Sequence, residues 1–257
     1  MHAVLICVVA FSASALTFFS GFGLGTLLTP VFALFYPIEL AVASTAVVHF
    51  LNGLFKLTLI ARHADRRTVV RFGTPAVAAA FAGAWLLLRL ADVQPLATYS
   101  IGGFQAAVLP AKLVVGVLLL GITAFELTPR FESLALPAGY VPLGGLLSGF
   151  LGGLSGMQGA LRAAFLIRIG LSKEAFIGTG VVVATLIDVA RLSVYGPELV
   201  GQRDRLDYPL LAAAVAAAFL GAFLGNRFLR KVTLRAVQWI VGVMLGLAAL
   251  GLMTGTL

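Results

Sequence analysis

Gly152-Gly153-Leu154-Ser155-Gly156-Met157-Gln158-Gly159 separates two apolar runs, and an earlier stretch, Gly21-Phe22-Gly23-Leu24-Gly25, does the same. Each stretch ends a long apolar run and opens a short one, residues 24–36 in the first case and 157–170 in the second. A membrane span needs about 20 apolar residues, so these two short runs stand apart from their neighbours. Working outward, the remaining runs are 3–21, 40–61, 72–90, 97–125, 137–154, 174–195, 208–227 and 235–255.

The order of lengths repeats. Long, short, long, long, long describes the first five runs and also the last five. A shift of 134 residues (159 − 25) aligns Gly25 with Gly159, Ala41 with Ala175, Thr45 with Thr179, Val47 with Val181 and Val48 with Val182. Such self-similarity points to an internal duplication. The expected organisation is a first repeat over residues 1–126, a connecting loop over 127–136 and a second repeat over 137–257. An odd number of crossings in each repeat would invert one relative to the other. The expected fold is therefore an all-α polytopic membrane protein with two inverted-topology repeats, about eight full spans and two short broken or re-entrant segments.

Composition supports the same class. Hydrophobic residues make up 60% of the 257 and charged residues 11%, with a mean hydropathy of +1.05. Soluble domains carry roughly 25% charged residues, so a soluble enzyme, a nucleic-acid binder and a disordered chain are all disfavoured. The continuous apolar runs also disfavour a β-barrel, whose strands alternate. The net charge of +8 then reads as Lys and Arg gathered in cytoplasmic loops. Placing loop 62–71 inside puts 11 of the 18 Lys and Arg residues inside: Arg62, Arg66, Arg67, Arg71, Arg130, Arg168, Lys173, Arg227, Arg230, Lys231 and Arg235. Arg89, Arg203 and Arg205 fall outside. Ala13-Ser14-Ala15 resembles a signal-peptidase site, but no Lys or Arg precedes it, so residues 3–20 read as a retained helix. The single cysteine, Cys7, permits no internal disulfide.

Charges that remain inside the apolar runs are the main functional signal, because such groups face a bundle interior or a watery cavity. They are Lys56, Lys112, Arg162, Arg191 and Asp188. The glycine-rich breaks add to this. A helix broken at membrane depth frees backbone N–H groups, and the next half-helix presents the positive end of its dipole. The expected substrate-binding set is Ser20, Gly23, Gly25, Thr26, Ser155, Gly156, Gln158, Gly159 and Arg162. The competing reading is that these glycines only let helices pack closely.

A polar stripe of Thr45, His49, Asn52 and Lys56 lies on one face of the helix expected over 40–61. Thr185, Asp188, Arg191 and Tyr195 form a similar stripe in the second half. The expected pathway or coupling set is Thr45, His49, Asn52, Lys56, Lys112, Asp188 and Arg191. His49 titrates near neutral pH unless shifted, so these groups suit proton coupling. Equally, Lys56 could snorkel to the nearby face and Asp188–Arg191 could be a structural pair. Pro110 is expected to kink the helix carrying Lys112 and Gln105. No Walker loop, GxSxG elbow, His-Glu-x-x-His or Cys/His cluster occurs, so neither an enzyme nor a cofactor is expected.

The whole pattern resembles the TauE/SafE family, the sulfite-exporter or toluene-sulfonate-uptake permeases. The resemblance rests on Gly21-Phe22-Gly23-Leu24-Gly25, Thr29-Pro30 and Ala43-Ser44-Thr45, and on Gly152–Gly159 with Ile177-Gly178-Thr179. The second copy departs at Ala163-Ala164, where proline is usual, and at Gly180, where serine is common. Gln158 and Arg162 stand where the family more often has glycine or apolar residues. The resemblance implies secondary transport of a small sulfur-containing anion: sulfite, thiosulfate, a sulfonate or sulfoacetate. Expected partners are that anion, the lipid bilayer of a bacterial inner membrane and coupling protons, with no nucleic acid. Oligomeric state is left open. A passive anion channel is the alternative, and a non-transporting scaffold subunit ranks below it.

Overall fold

A computed structural model describes residues 2–16, 23–128, 138–167, 169–228 and 234–257. Gly21 and Phe22 of the first break, and Ser20 beside it, lie outside these described residues, as do Arg130, Arg168, Arg230 and Lys231. Ten α-helices form among the described residues. The first five are α1 (His2–Leu16), α2 (Leu24–Ala33), α3 (Ile38–Ile60), α4 (Arg66–Ala91) and α5 (Pro110–Leu127). The second five are α6 (Val141–Ser155), α7 (Gly159–Leu166), α8 (Lys173–Gly201), α9 (Tyr208–Phe228) and α10 (Leu234–Thr254).

Four of these segments are long and apolar enough to cross a bilayer: α3 with the turn after it, α4, α8 and the described part of α9. Five shorter apolar helices join them. The chain is a multi-pass membrane protein. At 1.5 Å per residue, the ten-residue α2 and the eight-residue α7 reach only about half of a hydrocarbon core of roughly 30 Å.

The run over 97–125 is not one helix. Ala97–Ile101 (β1) pairs antiparallel with Phe104–Val108 (β2) around Gly102 and Gly103. Both glycines have positive φ, 57° and 85°, as a tight two-residue hairpin turn requires. Pro110 therefore starts α5 at its first position instead of kinking a longer helix, and Gln105 sits in a strand, on no helix face shared with Lys112. Hydropathy alone cannot tell a short apolar strand from a helix.

Helix packing interleaves the two halves. α4 lies along α6, α1 along α9, α5 along α10, and α3 along α8. α4 also contacts α8, and α9 contacts α3. The closest approach is α6 on α4, where a Cβ on Gly145, Gly149 or Gly153 would lie 2.0–2.2 Å from the carbonyl oxygens of Phe72, Ala76 and Ala80. Gly221 and Gly225 of α9 meet the Phe11 and Ala15 carbonyls of α1 in the same way. Small residues at such crossings are how membrane helices gain van der Waals contact where lipid offers no hydrophobic drive. α3 and α8 run antiparallel: Gly178 abuts Ile60 and Ala64, while His49 meets Asp188 near mid-helix.

Candidate anion site between two broken helices

The start of α2 and the end of α6 come together. A Cβ on Gly25 would lie 2.3 Å from the Gly156 carbonyl oxygen, so only glycine fits there. Gly156 itself ends α6 in the left-handed region at φ 81°, a conformation that glycine adopts at no steric cost. Three of the carbonyls freed where α6 stops, those of Gly152, Gly153 and Ser155, find donors. Gly152 O accepts from the Gly156 N–H at 3.0 Å and from Arg191 Nη1 at 3.4 Å. Tyr195 Oη donates to Gly153 O. Ser155 Oγ donates to Leu151 O at 2.9 Å, and Thr29 Oγ1 to Ser155 O at 3.3 Å. Ser148 Oγ donates to Gln158 O at 3.0 Å. An unmade bond at this depth would cost several kcal/mol, which is why the break needs this set of donors.

Beside the breaks is a cavity of about 170 Å³. Gly23, at the N-cap of α2, and Gly159, at the first turn of α7, both line it, so two half-helix N-termini meet one space. α3 contributes His49, Asn52, Gly53 and Lys56, and α7 contributes Arg162. α8 supplies Phe176, Ile177, Gly180, Val181 and Ala184. No carboxylate lines the cavity among the described residues. Lys56 and Arg162 make it cationic, and the two helix dipoles have the same sign. At roughly 30 Å³ per water, the space has room for a few waters or a small polyatomic ion.

Behind the His49 face is a buried charge pair. Asp188 and Arg191 are fully buried, with Arg191 Nε 2.9 Å and Nη2 2.7 Å from Asp188 Oδ1. His49 Nδ1 lies 2.6 Å from Asp188 Oδ2, and its side chain is 15% exposed. Asn52 Nδ2 donates to Ser14 Oγ at 3.0 Å, tying α3 to α1.

The structure thus brings Gly23, Gly159, Arg162, His49, Asn52 and Lys56 to one cavity. Gly25 and Gly156 lie where the breaks cross. Thr26 is buried beside Gly23 and does not line the space. The Ser155 hydroxyl is turned to the Leu151 carbonyl. Gln158 is buried behind the wall, its Oε1 3.5 Å from Arg162 Nη1 and its Nε2 without a hydrogen-bond partner among the described residues. Thr45 is buried away from the cavity. Asp188 and Arg191 reach it only through His49 and the α6 break. Lys112 is not part of it: its Nζ donates to the Leu257 backbone oxygen at 2.7 Å.

Gly53, Phe176 and Gly180 were not legible as lining residues. Gly180 makes room for Arg162, since a Cβ there would stand 3.3 Å from Arg162 Nε. Its place after Thr179, where the second repeat departs from the usual serine, was the available signal.

The family model described as Sulfite exporter TauE/SafE matches residues 6–252. No curated protein matches the chain, and no solved structure does. With nearly its whole length matched, the chain belongs to the sulfite exporter TauE/SafE family, a family of membrane transporters for sulfite and related sulfur anions.

Proposed function

We propose that the chain is a bacterial inner-membrane secondary transporter that moves a small sulfur-containing anion by alternating access, coupled to protons. Sulfite, thiosulfate, a sulfonate and sulfoacetate are the candidates. One observation carries this: the N-terminal ends of α2 and α7 converge with Lys56 and Arg162 on a single cavity between the broken helices. Two dipole ends and two cations select for an anion. Arg162 offers a planar fork of donors suited to a sulfur oxyanion, and Lys56 a point charge. Ser20, the remaining member of the expected site, flanks the first break in the sequence.

Alternating access follows from two inverted repeats, residues 1–126 and 137–257, joined by 127–136. Support comes from the packing: α4 on α6 is matched by α9 on α1, and α4 on α8 by α9 on α3. The equivalent helices α3 and α8 are antiparallel, as inversion requires. The anion then sits at the repeat interface, where rocking of one repeat exposes it to either side. His49, hydrogen-bonded to Asp188 at the cavity wall, carries the coupling proton.

Uptake into proteoliposomes tests the reading, using labelled sulfite, thiosulfate and sulfoacetate with a carboxylate control, with and without a proton gradient. Saturable, sulfur-selective accumulation that responds to the gradient is expected. Uptake that never exceeds equilibrium and ignores the gradient would make the protein a passive anion channel and overturn the proposal.

A further inference from the structure

His49 is held between two different environments. Its Nδ1 faces Asp188 Oδ2 at 2.6 Å, in a fully buried pocket, while the ring also lines the anion cavity. Asp188 is paired through its other oxygen with the Arg191 guanidinium. A carboxylate so paired has only lone pairs to offer. The hydrogen between ring and carboxylate therefore belongs to Nδ1, and Nε2 is the nitrogen left for the cavity. In the neutral ring Nε2 presents a lone pair, which repels an anion. In the imidazolium it presents a positively charged N–H, which binds one. The other charged groups around the ring are Lys56 on the same helix, Arg162 on α7, and Arg191 behind Asp188. All three are cationic, and an anion in the cavity offsets Lys56 and Arg162.

We infer that His49 takes up a proton at Nε2 together with the anion, and that Asp188 is the positioning residue that fixes the tautomer for this step. The proton comes from cavity water, whose hydroxide returns to bulk as the Nε2–H bond forms. By linkage, each ligand raises the affinity for the other by the same factor. Proton and anion then travel in the same direction, so an acidic compartment drives the anion out of itself. This inference rests on the anion-cavity reading above and adds the site and sign of coupling to it.

The chain has three histidines, His2, His49 and His63, so NMR of protein carrying isotope-labelled histidine resolves each ring, with His49→Gln assigning the signal. Thiosulfate is the probe, because it does not itself titrate between about pH 5 and pH 8, where histidine does. The neutral His49 ring is expected to carry its hydrogen on Nδ1. Bound thiosulfate is expected to raise the pH at which the ring becomes neutral. Thiosulfate affinity should fall about tenfold per pH unit between the midpoint of the free protein and the raised midpoint of the complex, as one linked proton requires. His49→Gln binds thiosulfate more weakly and without that slope. Asp188→Asn loses both the tautomer preference and the slope, and Asp188→Glu recovers them. A neutral ring with its hydrogen on Nε2, or a midpoint indifferent to thiosulfate, overturns the inference and leaves the anion site standing. Failure of the anion-cavity reading looks different: wild-type protein and His49→Gln alike bind no thiosulfate at any pH, and the inference falls with it.

Discussion

If the cavity binds the anion as proposed, Arg162 is the side chain on which affinity should depend most. It reaches the cavity from the first turns of α7, with Gln158 behind it and the bare backbone of Gly180 beside it. A hydrogen bond to a charged group is worth about 1.5–3 kcal/mol, so Arg162→Ala should weaken anion binding roughly 10- to 100-fold, with Arg162→Lys intermediate because it keeps charge but not the fork. Titration calorimetry with thiosulfate and sulfite reads this directly, and wild-type affinity in Arg162→Ala would remove the residue from the site. Arg162, Lys56 and His49 were legible in the sequence because a titratable group in an apolar run is costly unless something faces it. Ser155 and Lys112 misled for the converse reason. Their partners are the backbone oxygens of Leu151 and Leu257, and a sequence does not reveal which carbonyls a fold leaves unpaired. Arg191 carries a double assignment: it pairs with Asp188 and also holds Gly152 O at the end of α6. Its stripe on α8 was visible, but the contact with α6, 39 residues away, was not.

Between elements, the α6–α4 crossing sets how closely the halves meet. Gly149→Ala would place a Cβ 2.0 Å from the Ala76 carbonyl oxygen and force α6 outward. Overpacking of this kind costs typically 1–3 kcal/mol. Gly246→Ala on α10 enters open space and should gain up to about 1 kcal/mol of helix propensity instead. Thermal unfolding in detergent separates the two, and equal shifts would contradict the packing account. At the start of α4, the Asp65 carboxylate caps the helix by accepting from the Thr68 N–H at 2.7 Å, and its own N–H donates to Thr179 Oγ1 on α8 at 2.9 Å. Asp65→Ala should cost about 1 kcal/mol as a lost cap. The Thr68 hydrogen bonds hold the Asp65 carboxyl below the usual carboxylate range. Its contribution is therefore complete above that range and is lost as pH falls through the lowered value, so the wild-type advantage over Asp65→Ala should vanish in acid. The order of the helices was readable from apolar run lengths. The hairpin over 97–108 was not: its strands alternate, with Thr98, Ser100 and Gln105 on the polar face, but over only five residues each and inside a longer apolar run.

For the whole molecule, topology is the property that transport depends on. α3 and α8 lie antiparallel, so the loop carrying Arg62, Arg66 and Arg67 and the turn Arg203–Arg205 after α8 stand at opposite ends. With Cys7 replaced by serine, Arg67→Cys and Arg203→Cys should label from opposite faces of the membrane, Arg67→Cys from the cytoplasm. Labelling of both from one face would overturn the proposed inverted arrangement. A repeated order of run lengths was visible in the sequence, yet the approach of Gly25 to Gly156 was not, since they are 131 residues apart (156 − 25) and meet only through packing. That convergence is the centre of the account. Its most direct test is a crystal structure of the protein soaked with selenite, a sulfite analogue whose selenium gives an anomalous signal. An anomalous peak is expected in the cavity, within hydrogen-bonding distance of Arg162 and beside the first turns of α2 and α7. A cavity empty of selenium at saturating selenite, with the peak instead on the surface arginines of loop 62–71, would contradict it.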